Sequence, residues 1–357
     1  MYKVVIYPYD QTVKNILRNA HDSIFDIVGL VSPRGWSECG NTVQVGNKKL
    51  QVYSEIEEVH ERYNSVCLVN GKFDLNYFRY IQPIIKKCEE ENLDVFLFRN
   101  LKDDELDNVK NIIPNNKLHI LYEKYREIAF RNELFDIHVP VVFIADVFES
   151  LNSADVQLNI YNELMRRGYN VSIVSSKREM RILKKADCIP RSLFENKISI
   201  RDKVLLFNQY IKQIEHNERP DIIVVGIPGN LLEISKTIIG DFGGYNYIIS
   251  RSIAPDYIIC NVPCFFDFAD KYKNLEIILN CKYEQPIDAC NVMPYFLDLA
   301  EAEEIGEIEY MGLSKEFVEK QVSFNNNYYY LEEHDEIVRI TDNIIKKLSG
   351  YGEIELI

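Results

Sequence analysis

The sequence predicts an α/β protein of two domains, each built around a mainly parallel β-sheet. Three observations lead to this fold class. Short apolar segments alternate with helical patterns, as in βαβ units. A second series of such segments begins after Pro140, and the 357 residues exceed the roughly 250–300 that one hydrophobic core usually serves.

The first predicted domain covers residues 1–123 and has a Rossmann-like alternation of strands and helices. A helix is predicted over Tyr77–Glu91, where Ile81, Ile84 and Ile85 share one face. The predicted strands are Lys3–Tyr7, Phe25–Leu30, Leu50–Tyr53, Val66–Val69, Val95–Arg99 and Leu118–Leu121.

Residues 124–139 are predicted to form a linker or arm, with a helical pattern near Tyr122–His138, before a second domain over residues 140–357. Its predicted strands are Val141–Ala145, Asn170–Val174, Asp221–Val225, Tyr245–Ile249 and Tyr257–Cys260. Its predicted helices are Ala154–Arg167, Lys203–His216, Leu231–Ile239 and Phe266–Lys273, followed by an α/β extension at Pro294–Glu303, Ser314–Gln321 and Asp335–Leu348.

The net charge of the chain limits the classes of molecule that it is expected to bind. The formal net charge of −14 argues against nucleic acid and anionic membranes, because both are bound through clustered lysine and arginine. Neither a signal peptide nor a run of about 18 apolar residues is present. A cytoplasmic protein without membrane or nucleic-acid partners is therefore expected.

Eight cysteines in a chain of this length do not indicate a disulfide framework. The densest group comprises Cys260, Cys264, Cys281 and Cys290, and it lacks the closely spaced pairs of most zinc and iron–sulfur sites. Buried free thiols are the favoured interpretation and a cysteine-ligated metal is the alternative.

The loops that follow the strands of the first domain lack a dinucleotide-binding pattern. A Rossmann fingerprint needs glycines after the first strand, whereas Tyr7, Pro8 and Tyr9 stand there. After the second strand come Arg34 and the single tryptophan, Trp36. Tyr7, Tyr9, Arg34 and Trp36 are candidate partner-binding residues. The alternative for Trp36 is a lid that folds back over the sheet.

In the second domain, the loop after Val141–Ala145 occupies the place of a phosphate-binding P-loop. It contains neither glycine nor lysine, and Ser153 stands where the lysine would be. Asp146, Glu149, Asn152 and Ser153 are candidate cofactor-binding residues. Capping of the next helix by Asn152 or Ser153 is favoured over Mg²⁺ binding by the acidic side chains.

A second strand-end loop carries the clearest ligand signal, at Gly226, Pro228 and Gly229. Glycines allow another group to approach the backbone closely, so these three residues complete the candidate cofactor site. The six histidines have no metal-ligand spacing, and the sequence provides no catalytic residues.

Two resemblances follow from these segments. The stretches VVFIADVFESLNSADVQ and PDIIVVGIPGNLL resemble strand-loops of dethiobiotin-synthetase-like P-loop proteins. Over nearly its full length the chain resembles a family of peptide maturation system proteins from clostridial-type gene clusters for bacteriocin-like modified peptides. The segments KVVIYPYDQTVKNIL, FDIVGLVSPRGW, VFIADVFESLNSADVQL and PDIIVVGIPG carry this second resemblance.

The resemblance implies an accessory protein that helps to mature a ribosomally synthesised peptide. Its implied partners are the precursor peptide and a radical S-adenosylmethionine (SAM) peptide maturase, and no cofactor is expected. The first alternative is a nucleotide-dependent enzyme of the same pathway that binds nucleotide and Mg²⁺ at the degenerate P-loop. The second alternative is the cysteine-ligated metal protein.

Overall fold

The structure, a computed structural model, divides the chain into two compact units of α/β architecture. It describes residues 1–71, 75–121, 131–148, 151, 153–264, 274–277, 279–281, 286–306, 308–321 and 328–350. The first unit comprises Met1–Lys124 and Lys177–Cys188, and the second comprises Tyr125–Ser176 and Ile189–Ile357. The predicted fold class, with two mainly parallel sheets, is confirmed.

In its described residues the first unit contains one seven-stranded sheet, in the order β3-β4-β2-β1-β5-β6-β7. All neighbouring pairs are parallel except β3 and β4, which form an antiparallel hairpin. The strands are β1 (Lys3–Tyr7), β2 (Asp26–Val31), β3 (Thr42–Val45), β4 (Lys48–Tyr53), β5 (Ser65–Leu68), β6 (Asp94–Leu97) and β7 (Leu118–Ile120).

Both faces of this sheet are covered, which is why the middle of its central strand is apolar. Val4, Val5 and Ile6 of β1 are completely buried and supply two separate clusters of core side chains. The helices are α1 (Gln11–Arg18), α2 (Gln82–Glu90) and α3 (Asp103–Ile112). A π-helical turn, Tyr77–Ile81, precedes α2, so the helix predicted over Tyr77–Glu91 forms in two parts.

Within the second unit the strands pair in the order β9-β11-β8-β12-β13-β16, and each of these neighbouring pairs is parallel. Every residue of its first three strands along the chain is buried, as expected for a parallel sheet that is covered on both faces. The strands are β8 (Val141–Asp146), β9 (Val171–Ser175), β11 (Ile222–Gly226), β12 (Tyr257–Pro263), β13 (Ala289–Met293) and β16 (Tyr328–Tyr329).

Amphipathic helices accompany this sheet. Ser199 begins α5 by accepting a hydrogen bond from the Asp202 amide, and the helix ends at Arg219, whose φ of 47° is left-handed. The helices are α4 (Ser153–Arg166), α5 (Ile200–Glu218), α6 (Gly244–Ser252), α7 (Leu299–Ile305), α8 (Lys315–Gln321) and α9 (His334–Ser349). A small antiparallel pair, β14 (Tyr295–Leu297) with β15 (Tyr310–Gly312), lies in the C-terminal extension.

The segment Lys177–Cys188 returns to the first unit and completes its core. It contains a 3₁₀ turn, Arg178–Ile182, and the short strand β10 (Ala186–Cys188). Ile182 is fully buried in a core cluster of the first unit, and its carbonyl accepts a hydrogen bond from the Ile24 amide. The sequence pattern contains no sign of this contribution.

Several predicted elements of the second unit are wrong. Tyr245–Ile249 lies in helix α6 instead of a strand, and Leu231–Ile239 contains no helix. Residues 131–138 of the predicted linker or arm are not helical. The predicted α/β extension does contain both kinds of element at Pro294–Glu303, where β14 and the start of α7 lie. The predicted helix Phe266–Lys273 lies outside the described residues.

Candidate functional site

The candidate cofactor residues of the second unit meet at the carboxyl edge of its sheet, where ligands of parallel α/β proteins bind. Backbone hydrogen bonds join the end of β8 to the loop that follows β11. The Ile227 amide donates to the Ile144 carbonyl at 2.8 Å, and the Leu231 amide donates to the Asp146 carbonyl at 3.1 Å. The structure therefore places Asp146 close to the segment that contains Gly226, Pro228 and Gly229.

The Asp146 carboxylate belongs to a buried row of polar side chains across three neighbouring strands. Its Oδ1 accepts a hydrogen bond from Asn261 Nδ2 at 2.7 Å, and Asn261 Oδ1 accepts one from Asn291 Nδ2 at 2.9 Å. The three residues are in register on β8, β12 and β13, and none is more than 6% exposed. Asn291 Oδ1 continues the row by accepting a hydrogen bond from the Leu331 amide. This row holds strand ends together and fixes the direction of the Asp146 side chain.

The segment between β8 and α4 is apolar where the structure describes it. Val147, Phe148 and Leu151 are buried, and Ser153, the first residue of α4, is also buried. Glu149 and Asn152 lie outside the described residues. The predicted capping role of Asn152 therefore stays a prediction.

Gly226 ends β11 directly against a side chain of α4. A Cβ atom built on Gly226 would lie 2.3 Å from Oε1 of Gln157, which is too close for a non-bonded contact. Gln157 is completely buried. Its Nε2 donates to the Val174 carbonyl at 3.1 Å, and its Oε1 accepts from Ser175 Oγ at 2.7 Å. The protein's own amide thus fills the space that the glycine leaves open.

Gly229 is enclosed in a similar way by a carboxylate. Its φ is +78°, and a Cβ atom there would lie 2.7 Å from both carboxylate oxygens of Asp241. Asp241 Oδ1 accepts a hydrogen bond from the Asn230 amide at 2.8 Å, and Oδ2 accepts one from the Tyr245 amide at 3.0 Å. Pro228, between the two glycines, is buried. The Asp241 carboxylate therefore accepts hydrogen bonds from two backbone amides. In other proteins, backbone amides at such positions bind phosphate.

In the first unit, the tyrosines predicted to contact a partner are core residues. Tyr7 is 5% exposed and Tyr9 is 1% exposed. Burial raises the pKa of the Tyr7 phenol to about 12, and burial followed by the charge of Glu38 also raises the pKa of Tyr9. Both phenols stay protonated at neutral pH. Their side chains contribute packing and present no exposed contact surface.

Arg34 and Trp36 differ from each other in their surroundings. Arg34 is exposed and pairs with Glu55 at 2.8 Å. Trp36 is half-buried, and a Cβ atom built on Gly71 would lie 3.2 Å from its Cη2 and 3.1 Å from Asp10 Oδ2. The indole therefore folds back over the carboxyl edge of the sheet, as the lid interpretation predicts.

The cysteines of the second unit do not gather into a metal site where the structure describes them. Cys260 and Cys290 pair in register within the apolar core, and Cys281 is exposed. Burial raises the pKa of both core thiols. Among the described residues, no group of three or more histidine, cysteine, aspartate or glutamate side chains could hold a metal ion.

Four residues that shape this site are absent from the sequence-based candidates: Gln157, Asp241, Asn261 and Asn291. The two asparagines could have been identified from the sequence, because each is the single amide side chain in an otherwise apolar strand. Gln157 and Asp241 could not have been identified in this way, since only folding brings them close to Gly226 and Gly229.

Comparison of the structure with solved structures shows the fold. A crystal structure of a DUF1611 family protein from Anabaena variabilis is similar over 96% of this chain and 99% of its own, with a TM-score of 0.62 at 10% identity. At 10% sequence identity, this similarity shows a shared fold and nothing further. No model of a known protein family matches the chain. No curated protein matches it.

Two other structures cover a smaller part of the chain. The MinD cell division protein of Aquifex aeolicus covers 58% of this chain and 97% of its own at 13% identity, with a TM-score of 0.34. A plasmid partition protein of Borrelia burgdorferi covers 58% and 99% at 12% identity, with a TM-score of 0.37. Both TM-scores are below the level of a shared overall fold. Within the described part of the chain, no helix is long and apolar enough to cross a lipid bilayer.

Proposed function

We propose that this protein is an accessory protein in the maturation of a ribosomally synthesised, bacteriocin-like peptide. It binds the precursor peptide, a radical SAM peptide maturase, or both. The proposal starts from the similarity of its strand-loops to peptide maturation system proteins. On this proposal the second unit is a P-loop-like scaffold whose role is binding instead of phosphate transfer.

The filled glycine loops are the observation that supports a binding role most directly. In a working phosphate site, glycine amides and a lysine surround the anion. Here Gln157 occupies the space beside Gly226, Asp241 occupies the space beside Gly229, and Ser153 stands in place of the lysine. A nucleotide phosphate would have to displace a carboxylate that already holds two backbone amides.

The test combines two binding measurements on the purified full chain. Affinity capture should retain the precursor peptide or the maturase encoded in the same gene cluster. Calorimetric titration with ATP and GTP in the presence of Mg²⁺ should give no heat of binding, on an instrument checked with a known nucleotide-binding protein. Capture of neither the peptide nor the maturase would refute the proposal.

The alternative is a nucleotide-dependent enzyme at the same edge, and the paired amides of Asn230 and Tyr245 are the observation in its favour. In that case Asp241→Asn, which removes the charge at nearly constant volume, should raise the affinity for ATP at least ten-fold. Asp298→Asn is the matched control, because Asp298 also accepts two backbone amides at the start of a helix in the same unit. No gain with Asp241→Asn would count against the alternative.

A further inference from the structure

The outermost strand of the first unit has backbone groups that its own sheet does not use. Strand β3 pairs with β4, and within the described residues no strand pairs with its other side. Val43 lies opposite Leu50 and Val45 opposite Lys48. The Val45–Lys48 pair closes a two-residue turn and is therefore hydrogen-bonded, so the amides of Thr42 and Gln44 face away from β4. Both side chains are exposed.

The position of this edge is fixed by contacts with α1. The Gly46 amide, in the turn after β3, donates to the Leu17 carbonyl at 2.9 Å. Val45 is buried in the core cluster that contains Val13 and Leu17 of α1, and Val43 packs against the same cluster. These contacts within the chain therefore set the gap between β3 and α1, and the gap does not depend on a bound ligand.

A groove of about 310 Å³ opens along this gap. Its lining residues are Lys14, Arg18, Glu38, Asn41, Thr42, Val43 and Gln44. Lys14 lies 3.9 Å from Glu38, whose side chain is only 7% exposed. Arg18 is exposed and makes no ion pair among the described residues. The lining residues of the groove thus include two cationic side chains, Lys14 and Arg18, and one carboxylate, Glu38. The groove has an excess of positive charge, although the whole chain has a net charge of −14.

We propose that an extended, acidic peptide segment binds here as an added strand on β3. Its backbone pairs with the outward amides and carbonyls of Thr42 and Gln44, and an acidic side chain enters the groove toward Arg18 and Lys14. Strand addition to an exposed edge derives affinity from the main chain and selectivity from side-chain pockets. The inference rests on the proposed function, because it assigns the binding surface for the precursor peptide.

The direct test uses fluorescence anisotropy with the full chain and a labelled seven-residue peptide that alternates valine and glutamate. The control peptide alternates valine and lysine. We expect saturable binding of the acidic peptide and at least ten-fold weaker binding of the basic peptide. Equal binding of the two peptides, or no binding of the acidic one, would overturn the inference.

Two variants separate backbone pairing from charge. Gln44→Pro removes an outward amide and leaves the β3–β4 hydrogen bonds in place, whereas Gln44→Ala removes the same side chain and keeps the amide. We expect Gln44→Pro and Arg18→Glu to weaken binding at least ten-fold, with Gln44→Ala within two-fold of the unaltered chain. A Gln44→Pro protein that folds and binds normally would contradict strand addition.

An experiment on the peptide avoids any dependence on folding of the variant. N-methylation of the valine amides in the acidic peptide blocks strand pairing from the ligand side and leaves the protein unchanged. We expect at least ten-fold weaker binding, and unchanged binding would refute the added strand. If the precursor peptide is captured equally by all variants, the proposed function stands and this groove is not its site.

Discussion

At the residue scale, Gly226 shows how a glycine that looks like part of a ligand loop can serve packing within the chain. The amide of Gln157 lies where a side chain at position 226 would begin, and it links α4 to the carbonyl of Val174 and the hydroxyl of Ser175. The glycine is therefore required whether or not a ligand binds at this edge.

We expect Gly226→Ala to lower the free energy of unfolding by about 1–3 kcal/mol, because the added methyl group overpacks a buried site. Gly312→Ala is the control, since a Cβ atom there meets nothing within 4 Å. Urea unfolding followed by circular dichroism measures both. In a Gln157→Ala background the same change should cost less, and equal costs in the two backgrounds would show that the two residues are not coupled.

The sequence pattern locates this glycine loop but does not identify the two side chains that lie beside it. The pattern of Gly226 and Gly229 after an apolar strand correctly indicates a close approach to the backbone. It cannot tell whether the approaching group is a phosphate or a side chain, because Gln157 and Asp241 reach the glycines only in the folded chain.

At the element scale, a charged cluster joins helix α4 to helix α9 in the second unit. The Glu163 side chain is 3% exposed and accepts hydrogen bonds from Arg166 and Arg167, while Arg167 also donates to Asp342 and to the Val338 carbonyl. The two hydrogen bonds from Arg166, followed by the one from Arg167, lower the pKa of Glu163 to about 2.

This depressed pKa predicts a pH window for stability. The stabilisation is complete above the ordinary glutamate pKa of about 4.5, and it disappears as the pH falls toward 2 and the carboxylate gains a proton. Glu163→Gln should lower the free energy of unfolding by roughly 1.5–3 kcal/mol at pH 7, the range for hydrogen bonds to charged groups. Urea unfolding between pH 7 and pH 2 measures the difference between the two proteins, which should shrink below pH 4.5. A difference that stays constant with pH would contradict this assignment.

The sequence predicts the long helix α4 correctly, whereas it predicts the short helix α6 as a strand. The pattern that predicts Ala154–Arg167 finds α4 to within one residue at each end, because a long apolar face repeats over several turns. The run Tyr245–Ile249 has the aromatic and β-branched residues of a strand, yet it forms α6. The Asp241 carboxylate binds the Tyr245 amide at the start of that helix, so a local capping contact outweighs β propensity.

At the scale of the whole molecule, the first unit is assembled from two separate stretches of chain. Residues 177–188 contribute Ile182 to its core, and Glu179 Oε1 accepts hydrogen bonds from the backbone and side-chain amides of Asn70 at 2.8 and 2.7 Å. The two-unit α/β arrangement was predictable from alternating strands and helices. The contribution of residues 177–188 to the first unit was not predictable, because this segment is short and its contacts are with residues that are distant in sequence.

A fragment of residues 1–124 should therefore be less stable than the same unit within the full chain. We expect a synthetic peptide of residues 177–188 to raise its thermal unfolding midpoint, and an Ile182→Ala version of the peptide to do so much less. Loss of a buried isoleucine side chain costs roughly 2–5 kcal/mol. A fragment whose midpoint is unaffected by either peptide would show that the returning segment adds no stability.

The return of residues 177–188 also orders events during protein synthesis. A ribosome adds roughly 5–20 residues each second, and N-terminal domains generally fold first. Here the N-terminal unit stays incomplete until residue 188 has emerged, by which time β8, α4 and β9 of the other unit have already been made. The two units therefore cannot mature strictly one after the other, and an early stop in translation within the second unit would also leave the first one unfinished.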